Sequence, residues 1–87
     1  MDQTAAAQST ELYESLQAAA LTAARSVDDT DDRARTLGLV ASQTRPFDTA
    51  LPLWTEAAET ARKIEDPATR VDRMTSLVSG LRYSAAK

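Results

Sequence analysis

The chain has 87 residues and a formal net charge of −3, and it contains neither cysteine nor histidine. This length allows one domain with a small core. The missing residue types exclude disulfides, thiolate nucleophiles, cysteine–histidine zinc sites and a histidine general base. A net acidic chain without a basic stripe also predicts no nucleic-acid partner. No apolar run approaches a membrane span and no signal peptide is recognisable, so we expect no membrane partner and a cytoplasmic protein.

The first helical pattern covers about residues 10–26. Ser9 or Thr10 fits the N-cap position. The preceding alanines would either extend this helix toward Thr4 or fray, so residues 1–9 are predicted to be a flexible or helix-extending segment. One face of the predicted helix carries Tyr13, Leu16, Ala20, Ala24 and Val27.

The second and fourth helical patterns begin with the same chemistry. Asp66-Pro67 is a strong start signal, because the carboxylate accepts hydrogen bonds from free amides and proline fits the first helical position. Asp29-Thr30 stands 37 residues earlier in the same place. We interpret these acidic clusters as helix caps, because the alternating ligands and glycine turn of a calcium loop are missing. The two apolar faces comprise Ala34, Leu37, Val40, Ala41 and Thr44, and Val71, Met74, Leu77, Val78 and Leu81.

The third pattern covers about residues 47–64 and follows a break at Arg45-Pro46. A helix that begins near Asp48 would place Pro52 around the end of its first turn, where the lost hydrogen bond costs least. A helix that begins earlier would be kinked by this proline. The apolar face comprises Ala50, Leu53, Trp54, Ala57, Ala61 and Ile64.

One segment of the chain occurs twice, because residues 24–30 correspond to residues 61–67 at a spacing of 37. Such spacing is typical of stacked helical units. With connections of roughly three to five residues, sequential helices lie antiparallel. The sequence therefore predicts an all-α fold of four antiparallel helices arranged as two stacked αα hairpins, a short α-solenoid or right-handed superhelix fragment. Residues 10–84 would form this single domain, and residues 85–87 a C-terminal tail.

The middle of the chain resembles a tetratricopeptide-type repeat. The resemblance depends on Leu37-Gly38 followed by Phe47, Ala50, Trp54 and Ala57. It implies that small residues let two helices approach while Trp54 fills the space between hairpins. The period of 37 residues exceeds the family's usual 34 or so, and Met74-Thr75 replaces the Leu-Gly pair in the second copy. The chain is thus similar to a divergent tetratricopeptide-like or HEAT-like bacterial repeat, and an ordinary four-helix bundle is the alternative.

Catalytic chemistry has little support in the sequence. Ser15 and Ser76 invite comparison with the serine of a carrier protein, but both lie inside predicted helices rather than at a helix start. No histidine can activate a serine, and no glycine-rich phosphate loop is present. Carboxylates spaced three apart, such as Glu56 and Glu59, are typical of an exposed helix face. We therefore expect no enzyme activity and no catalytic, cofactor-binding or metal-binding residue.

Residues that point away from the apolar faces are the better functional candidates. The resemblance implies that the first helices of successive units line a concave surface that takes extended peptides or helices. The residues expected on that surface are Arg35, Leu39, Gln43, Asp72 and Ser76. Leu39 would otherwise be one incidental exposed leucine. Leu51, also off its stripe, could contribute to self-association.

These observations predict a non-enzymatic protein–protein interaction module that binds a partner or itself through helix faces. The alternative is a small regulatory helical-bundle protein, an inhibitor or antitoxin-like factor that masks a partner's site. Residues 1–44 carry a net charge of −4 and residues 45–87 a net charge of +1. This asymmetry would suit head-to-tail contact between copies, although it could also be accidental. We expect self-association as a homodimer.

Overall fold

Four α-helices make up almost all of the computed structural model, which describes residues 3–86. The helices are α1 (Gln3–Arg25), α2 (Thr30–Ser42), α3 (Phe47–Arg62) and α4 (Pro67–Ala86). Each connection is four residues long, so consecutive helices lie antiparallel. The predicted all-α fold of four helices is confirmed.

The four helices form an open layer rather than a closed bundle. α2 packs against the other three helices, and α4 packs against both α2 and α3. Within residues 3–86, the backbone of α1 approaches α2 but neither α3 nor α4. The resulting molecule is flat and elongated, with extents of 53 × 29 × 14 Å. The first and last helices therefore each leave one side uncovered.

The core lies between α2 and α3 and depends on alanine. Leu37 and Trp54 provide its largest buried side chains on those two helices. Small residues at the remaining positions let the helix axes approach closely. The buried apolar residues are Ala24, Ala34, Leu37, Val40, Ala41, Ala50, Trp54, Ala57, Ala61, Ile64 and Leu77.

Two glycines set the distance of α4 from the rest of the core. A methyl group on Gly80 would lie 2.8 Å from Cη2 of Trp54, and one on Gly38 would lie 2.7 Å from Cδ2 of Leu77. Both separations are shorter than van der Waals contact. Trp54 therefore fills the space among α2, α3 and α4 because glycine leaves room for its ring.

The repeated segment forms two equivalent helix starts. The Asp29 carboxylate accepts a hydrogen bond of 2.9 Å from the backbone amide of Asp32, at the start of α2. The Asp66 carboxylate accepts one of 2.8 Å from the amide of Thr69, at the start of α4. Both predicted caps are confirmed. Each satisfies an amide that has no partner within its own helix.

An arginine completes each of these corners. Nη1 of Arg33 donates to the carbonyl of Val27 at 2.7 Å, and Nη1 of Arg70 donates to the carbonyl of Ile64 at 2.7 Å. Each guanidinium reaches back from the new helix to the end of the previous one. The 37-residue repeat is thus a repeated corner that fixes how one helix follows another.

The N-terminal end of α1 differs from the prediction. Neither Ser9 nor Thr10 caps the helix, because the alanine run continues it back to Gln3. The hydroxyl of Thr10 instead donates to the carbonyl of Ala6 at 3.1 Å, as in a helix interior. Residues 3–9 therefore extend the helix, whereas Met1 and Asp2 lie outside the described residues.

The outer helices bury less of their predicted faces than the inner ones. In α1, Ala24 is buried, but Tyr13, Leu16 and Ala20 are exposed. With 23 residues α1 is much longer than the 13-residue α2 that covers it. The prediction that Tyr13, Leu16 and Ala20 form part of the core is therefore wrong.

The apolar face of α4 is also only partly covered. Of its five predicted core residues Leu77 is buried, whereas Val71 and Val78 remain 64% and 53% exposed. The helix continues through Ala85 and Ala86, which the sequence had assigned to a tail, and Lys87 lies outside the described residues.

Pro52 is the sixth residue of α3, in its second turn. The helix begins one residue before Asp48, close to the predicted start, so Pro52 falls just after the first turn. Without an N–H it cannot donate to the carbonyl of Asp48, so one helical hydrogen bond is missing. Both residues are exposed, which leaves that carbonyl accessible to water.

None of the helices within residues 3–86 is long and apolar enough to cross a lipid bilayer.

Candidate protein-binding groove

A shallow groove of about 250 Å³ runs between α2 and α4, and we call it the α2–α4 groove. Its floor contains Gly38, Gly80 and the ring of Trp54. Because the two glycines lack side chains, the space between α2 and α4 stays open at this point. Its walls are formed by Arg35, Leu39 and Ser42 from α2, and by Arg73, Ser76 and Leu77 from α4.

The structure brings together three of the five residues selected from the sequence. Arg35, Leu39 and Ser76 all line the α2–α4 groove. Gln43 instead borders a separate depression between α1 and α2, to which Leu39 also contributes. Asp72 is exposed on α4 and lines neither depression. Leu39 is therefore the residue shared by both surfaces.

Sequence reasoning identified Gly38 and Trp54 as packing residues but missed the contribution of Gly80 to the groove. Gly80 is half-buried, and its backbone lies against the ring of Trp54. Glycine inside a helix costs about 0.5–1 kcal/mol relative to alanine, so a helical glycine is itself a signal of close approach. Both Gly38 and Gly80 are glycines inside predicted helices. Helical periodicity alone, however, does not show which side chain each of them contacts.

An ion pair joins the two walls near one end of the groove. Nε of Arg73 donates to Oδ1 of Asp31 at 2.7 Å, and Nη2 approaches Oδ2 at 3.4 Å. The hydrogen bond from Arg73 lowers the pKa of Asp31 and, reciprocally, raises the pKa of the guanidinium, with burial opposing both changes. Because both side chains are largely shielded from solvent, this pair fastens α4 to α2.

The guanidinium of Arg35 is held by fewer contacts than that of Arg73, the other cation of the groove. Its guanidinium approaches Asp32 at 3.5 Å, within the same turn, and about half of its side chain is exposed. A contact of that length between exposed groups contributes little to stability. The charge of Arg35 therefore remains accessible to a carboxylate or a carbonyl from another molecule.

A second set of polar contacts holds α1 in place. The guanidinium of Arg25 binds both carboxylate oxygens of Glu56 on α3, at 2.8 and 2.7 Å, and this hydrogen bonding lowers the pKa of Glu56. The hydroxyl of Tyr13 donates to the carbonyl of Gln43 and accepts from the amide of Arg45, both at 3.2 Å. The orientation of α1 thus depends on side chains as well as on its packing against α2.

The acidic cluster at the start of α2 has a structural explanation. The carboxylates of Asp29, Asp31 and Asp32 lie within 4.8 Å of one another. Asp29 caps the helix, Asp31 binds Arg73, and Asp32 approaches Arg35. Capping and ion pairing account for these three residues without a metal ion.

Trp54 contributes one unusual feature beneath the groove. Its indole Nε1 is buried and has no hydrogen-bond acceptor within residues 3–86. A buried donor without an acceptor costs about 1–3 kcal/mol. The contribution of Trp54 to the core therefore comes from the shape and area of its ring rather than from hydrogen bonding.

Comparison with models of protein families, with curated proteins and with solved structures finds no match. The resemblance to tetratricopeptide-type repeats accordingly stays a prediction.

Proposed function

We propose that this protein is a non-enzymatic, cytoplasmic interaction module that binds a segment of a protein partner in the α2–α4 groove. The observation that carries the proposal is Leu39, which is 55% exposed beside a floor built from two glycines. An exposed leucine by itself is ordinary. Here it stands in a concave site between two helices, where a partner's apolar side chain would lose water from several sides.

The chemistry of the walls defines the kind of segment that fits. Leu39 and Leu77 offer apolar contact, Arg35 offers an accessible cation, and Ser76 offers an exposed hydroxyl. A helix or an extended peptide with an apolar residue next to an acidic one would satisfy these groups together. The glycine floor lets the backbone of such a segment approach closely.

The carboxylates whose pKa values are shifted serve in ion pairs and in a helix cap. The pKa values of Asp31 and Glu56 are lowered by hydrogen bonds from their arginine partners. The pKa of Asp66 is lowered by the side chain and then the amide of Thr69 in the helix cap. Each of these shifts has a structural origin, and each keeps the carboxylate ionised. A general acid near neutral pH would need a pKa raised by its environment.

The test selects ligands from a library of random displayed peptides with the wild-type chain, and then maps the bound peptide by backbone amide chemical shifts. We expect the largest shift changes along Arg35, Leu39 and Ser76. Leu39→Glu should lose binding at least tenfold, because the new carboxylate replaces apolar contact.

Leu51→Glu is the matched control, since Leu51 is also an exposed leucine, 44% accessible, but lies on α3 outside the α2–α4 groove. This variant should bind the selected peptides as the wild type does. If no peptide is selected, or if Leu39→Glu binds undiminished, the proposed function is wrong.

A further inference from the structure

A second apolar groove lies on the opposite side of α4, between the outer faces of α3 and α4. We call it the C-terminal groove, and its volume is about 200 Å³ beside α4, with an adjoining depression of about 240 Å³ beside α3. Arg62 lies along both depressions. Its lining includes the buried Trp54 and Leu77, and the apolar lining residues that are exposed or half-buried are Leu51, Ala58, Met74, Val78 and Leu81.

The 37-residue repeat indicates what kind of element fits this groove. Met74 and Val78 on α4 correspond to Leu37 and Ala41 on α2. Leu37 and Ala41 are buried, and α3 is the helix that packs most closely against α2. A helix equivalent to α3, lying antiparallel to α4, would therefore cover the C-terminal groove.

The helix equivalent to α3 within this chain is α1. Leu16 of α1 corresponds to Leu53 of α3, which is half-buried and faces α1 across a depression. Leu12 and Leu16 remain 60% and 61% exposed. Positions 12, 16, 19 and 23 share one helical face, so we define the α1 stripe as Leu12, Leu16, Ala19 and Ala23, all of which are exposed.

Charge favours the pairing of α1 with α4 over the pairing of two α1 helices. α1 carries two acids and one arginine, a net charge of −1, whereas α4 carries three arginines and one aspartate, a net charge of +2. Two α1 stripes would bring like charges together, whereas α3, the other wall of the C-terminal groove, carries a net charge of −2 that balances α4. An antiparallel α1 on α4 would instead place Glu11 and Glu14 near Arg82, at the C-terminal end of α4.

We propose that copies of this chain assemble head-to-tail, with the α1 stripe of one copy in the C-terminal groove of the next. The contact is heterologous, because two different surfaces meet. Each added copy leaves the same two surfaces free, so assembly continues beyond a dimer unless the rotation closes a ring. The C-terminal groove shares Trp54 and Leu77 with the α2–α4 groove, but the exposed residues of the two grooves differ, so the assembly does not depend on the proposed function.

Sedimentation velocity over a range from low to high micromolar concentration tests the assembly. The wild type should form species larger than a dimer as its concentration rises. A helix seated on two others buries an area near the lower limit of specific interfaces, about 1,000 Å², so rapid exchange is expected. A wild type that stays monomeric at high micromolar concentration overturns the proposal.

Two blocked variants test the head-to-tail arrangement. The stripe-blocked variant carries Leu12→Glu and Leu16→Glu, and the groove-blocked variant carries Leu51→Glu and Val78→Glu, so the two blocked surfaces repel each other as well. Each changes exposed residues only, so circular dichroism should show unchanged helix content. Each should be monomeric alone, whereas an equimolar mixture should form a heterodimer and nothing larger, because only one stripe and one groove remain competent.

Other pairings give other results. A stripe-blocked variant that still dimerises indicates contact between grooves, and a groove-blocked variant that still dimerises indicates contact between stripes. Either result, or a mixture that remains monomeric, overturns the head-to-tail assembly.

A charge variant provides a second measurement in case a double variant fails to fold. Arg82→Glu should weaken assembly severalfold, and adding Glu11→Arg and Glu14→Arg in the same chain should restore it. Lack of restoration contradicts the expected orientation. Leu39→Glu should assemble like the wild type while losing peptide binding, so failure of the assembly and failure of the proposed function are distinguishable.

Discussion

α2 and α4 are related by the 37-residue repeat, yet their apolar faces have different environments. Ala34 and Ala41 of α2 are fully buried, whereas Val71 and Val78, their equivalents on α4, are more than half exposed. α2 packs against three helices, and α4 against two. The exposed face of α4 therefore reflects a missing neighbour rather than a weaker apolar pattern.

The comparison also concerns side-chain size. α2 presents alanines where helices approach it from both sides, and α4 presents valines at the equivalent positions. Small residues suit a helix that is already enclosed, since close packing leaves no room for larger ones. In a stack of repeats, stability depends on nearest-neighbour interfaces, so equivalent residues differ in burial according to their place in the stack.

The largest expected change in the free energy of unfolding is that of Ala41→Glu, which we compare with Val78→Glu. Ala41→Glu places a carboxylate in the enclosed face of α2 and should cost several kcal/mol, enough to unfold a chain of this size. Val78→Glu stays in solvent and should change the free energy of unfolding by less than about 0.5 kcal/mol. Urea denaturation at low protein concentration, where assembly is negligible, measures both. Equal losses would mean that α4 is covered as fully as α2.

The second comparison concerns the two glycines that contact α4. Gly80→Ala places a methyl group against the rigid ring of Trp54 and should destabilise the fold by about 1–3 kcal/mol. Gly38→Ala meets a terminal methyl group of Leu77, a side chain that can shift more easily than an indole ring, and alanine also gains up to about 1 kcal/mol of helix propensity. We expect a near-neutral change at Gly38. Thermal unfolding of the two variants shows which of them is less stable. If Trp54 can move to accommodate the new methyl group, Gly80→Ala will not be the more destabilised variant.

The third comparison tests the corner shared by both helices. Asp29→Ala removes the cap of α2 and should cost about 1 kcal/mol. Asp28→Ala, one residue earlier and also exposed, is the matched control and should be nearly neutral. Asp66→Ala should lower the unfolding temperature in the same direction as Asp29→Ala. If Asp28 and Asp29 variants lose equal stability, the cap assignment is wrong.

The smallest expected effect is the pH dependence of the Asp31–Arg73 pair, which has no counterpart in the second copy because Ala68 replaces the aspartate. The Arg73 hydrogen bond lowers the pKa of Asp31 below its ordinary value of 3.8. The stabilisation is therefore complete above pH 3.8 and is lost as the pH falls toward the lowered pKa. Asp31→Asn should cost about 1 kcal/mol or less at neutral pH.

Urea denaturation between neutral and acidic pH checks this expectation. The difference in unfolding free energy between wild type and Asp31→Asn should shrink as the solution is acidified. A constant difference would show that the carboxylate charge contributes nothing to the contact between α2 and α4.

The sequence predicted the inner half of the fold better than the outer half. Helix starts at Asp29 and Asp66 were predictable because capping depends on local chemistry. The faces of α2 and α3 were predictable because these helices have neighbours on several sides. The faces of α1 and α4 were not, since periodicity identifies an apolar stripe but not whether another helix covers it.

The α2–α4 groove was only partly predictable for a related reason. Periodicity placed Arg35, Leu39 and Ser76 away from the core, and the structure brings them to one groove. The partner of Gly80 could not be found in the same way, because its contact with Trp54 joins residues on different helices. The floor of the α2–α4 groove is formed by contacts between different helices, so it cannot be recognised from the apolar pattern of any one helix.

Trp54 can serve as an intrinsic fluorescence probe of this protein. It is the single tryptophan in the chain, and its buried, unbonded indole lies where α2, α3 and α4 meet. Indole emission moves to longer wavelength when the ring meets water, so intrinsic fluorescence should follow separation of α4 from the other helices without any label. Trp54 lines both the α2–α4 groove and the C-terminal groove, so a ligand in the first and a helix in the second would each approach its ring. One spectrum can therefore register both events.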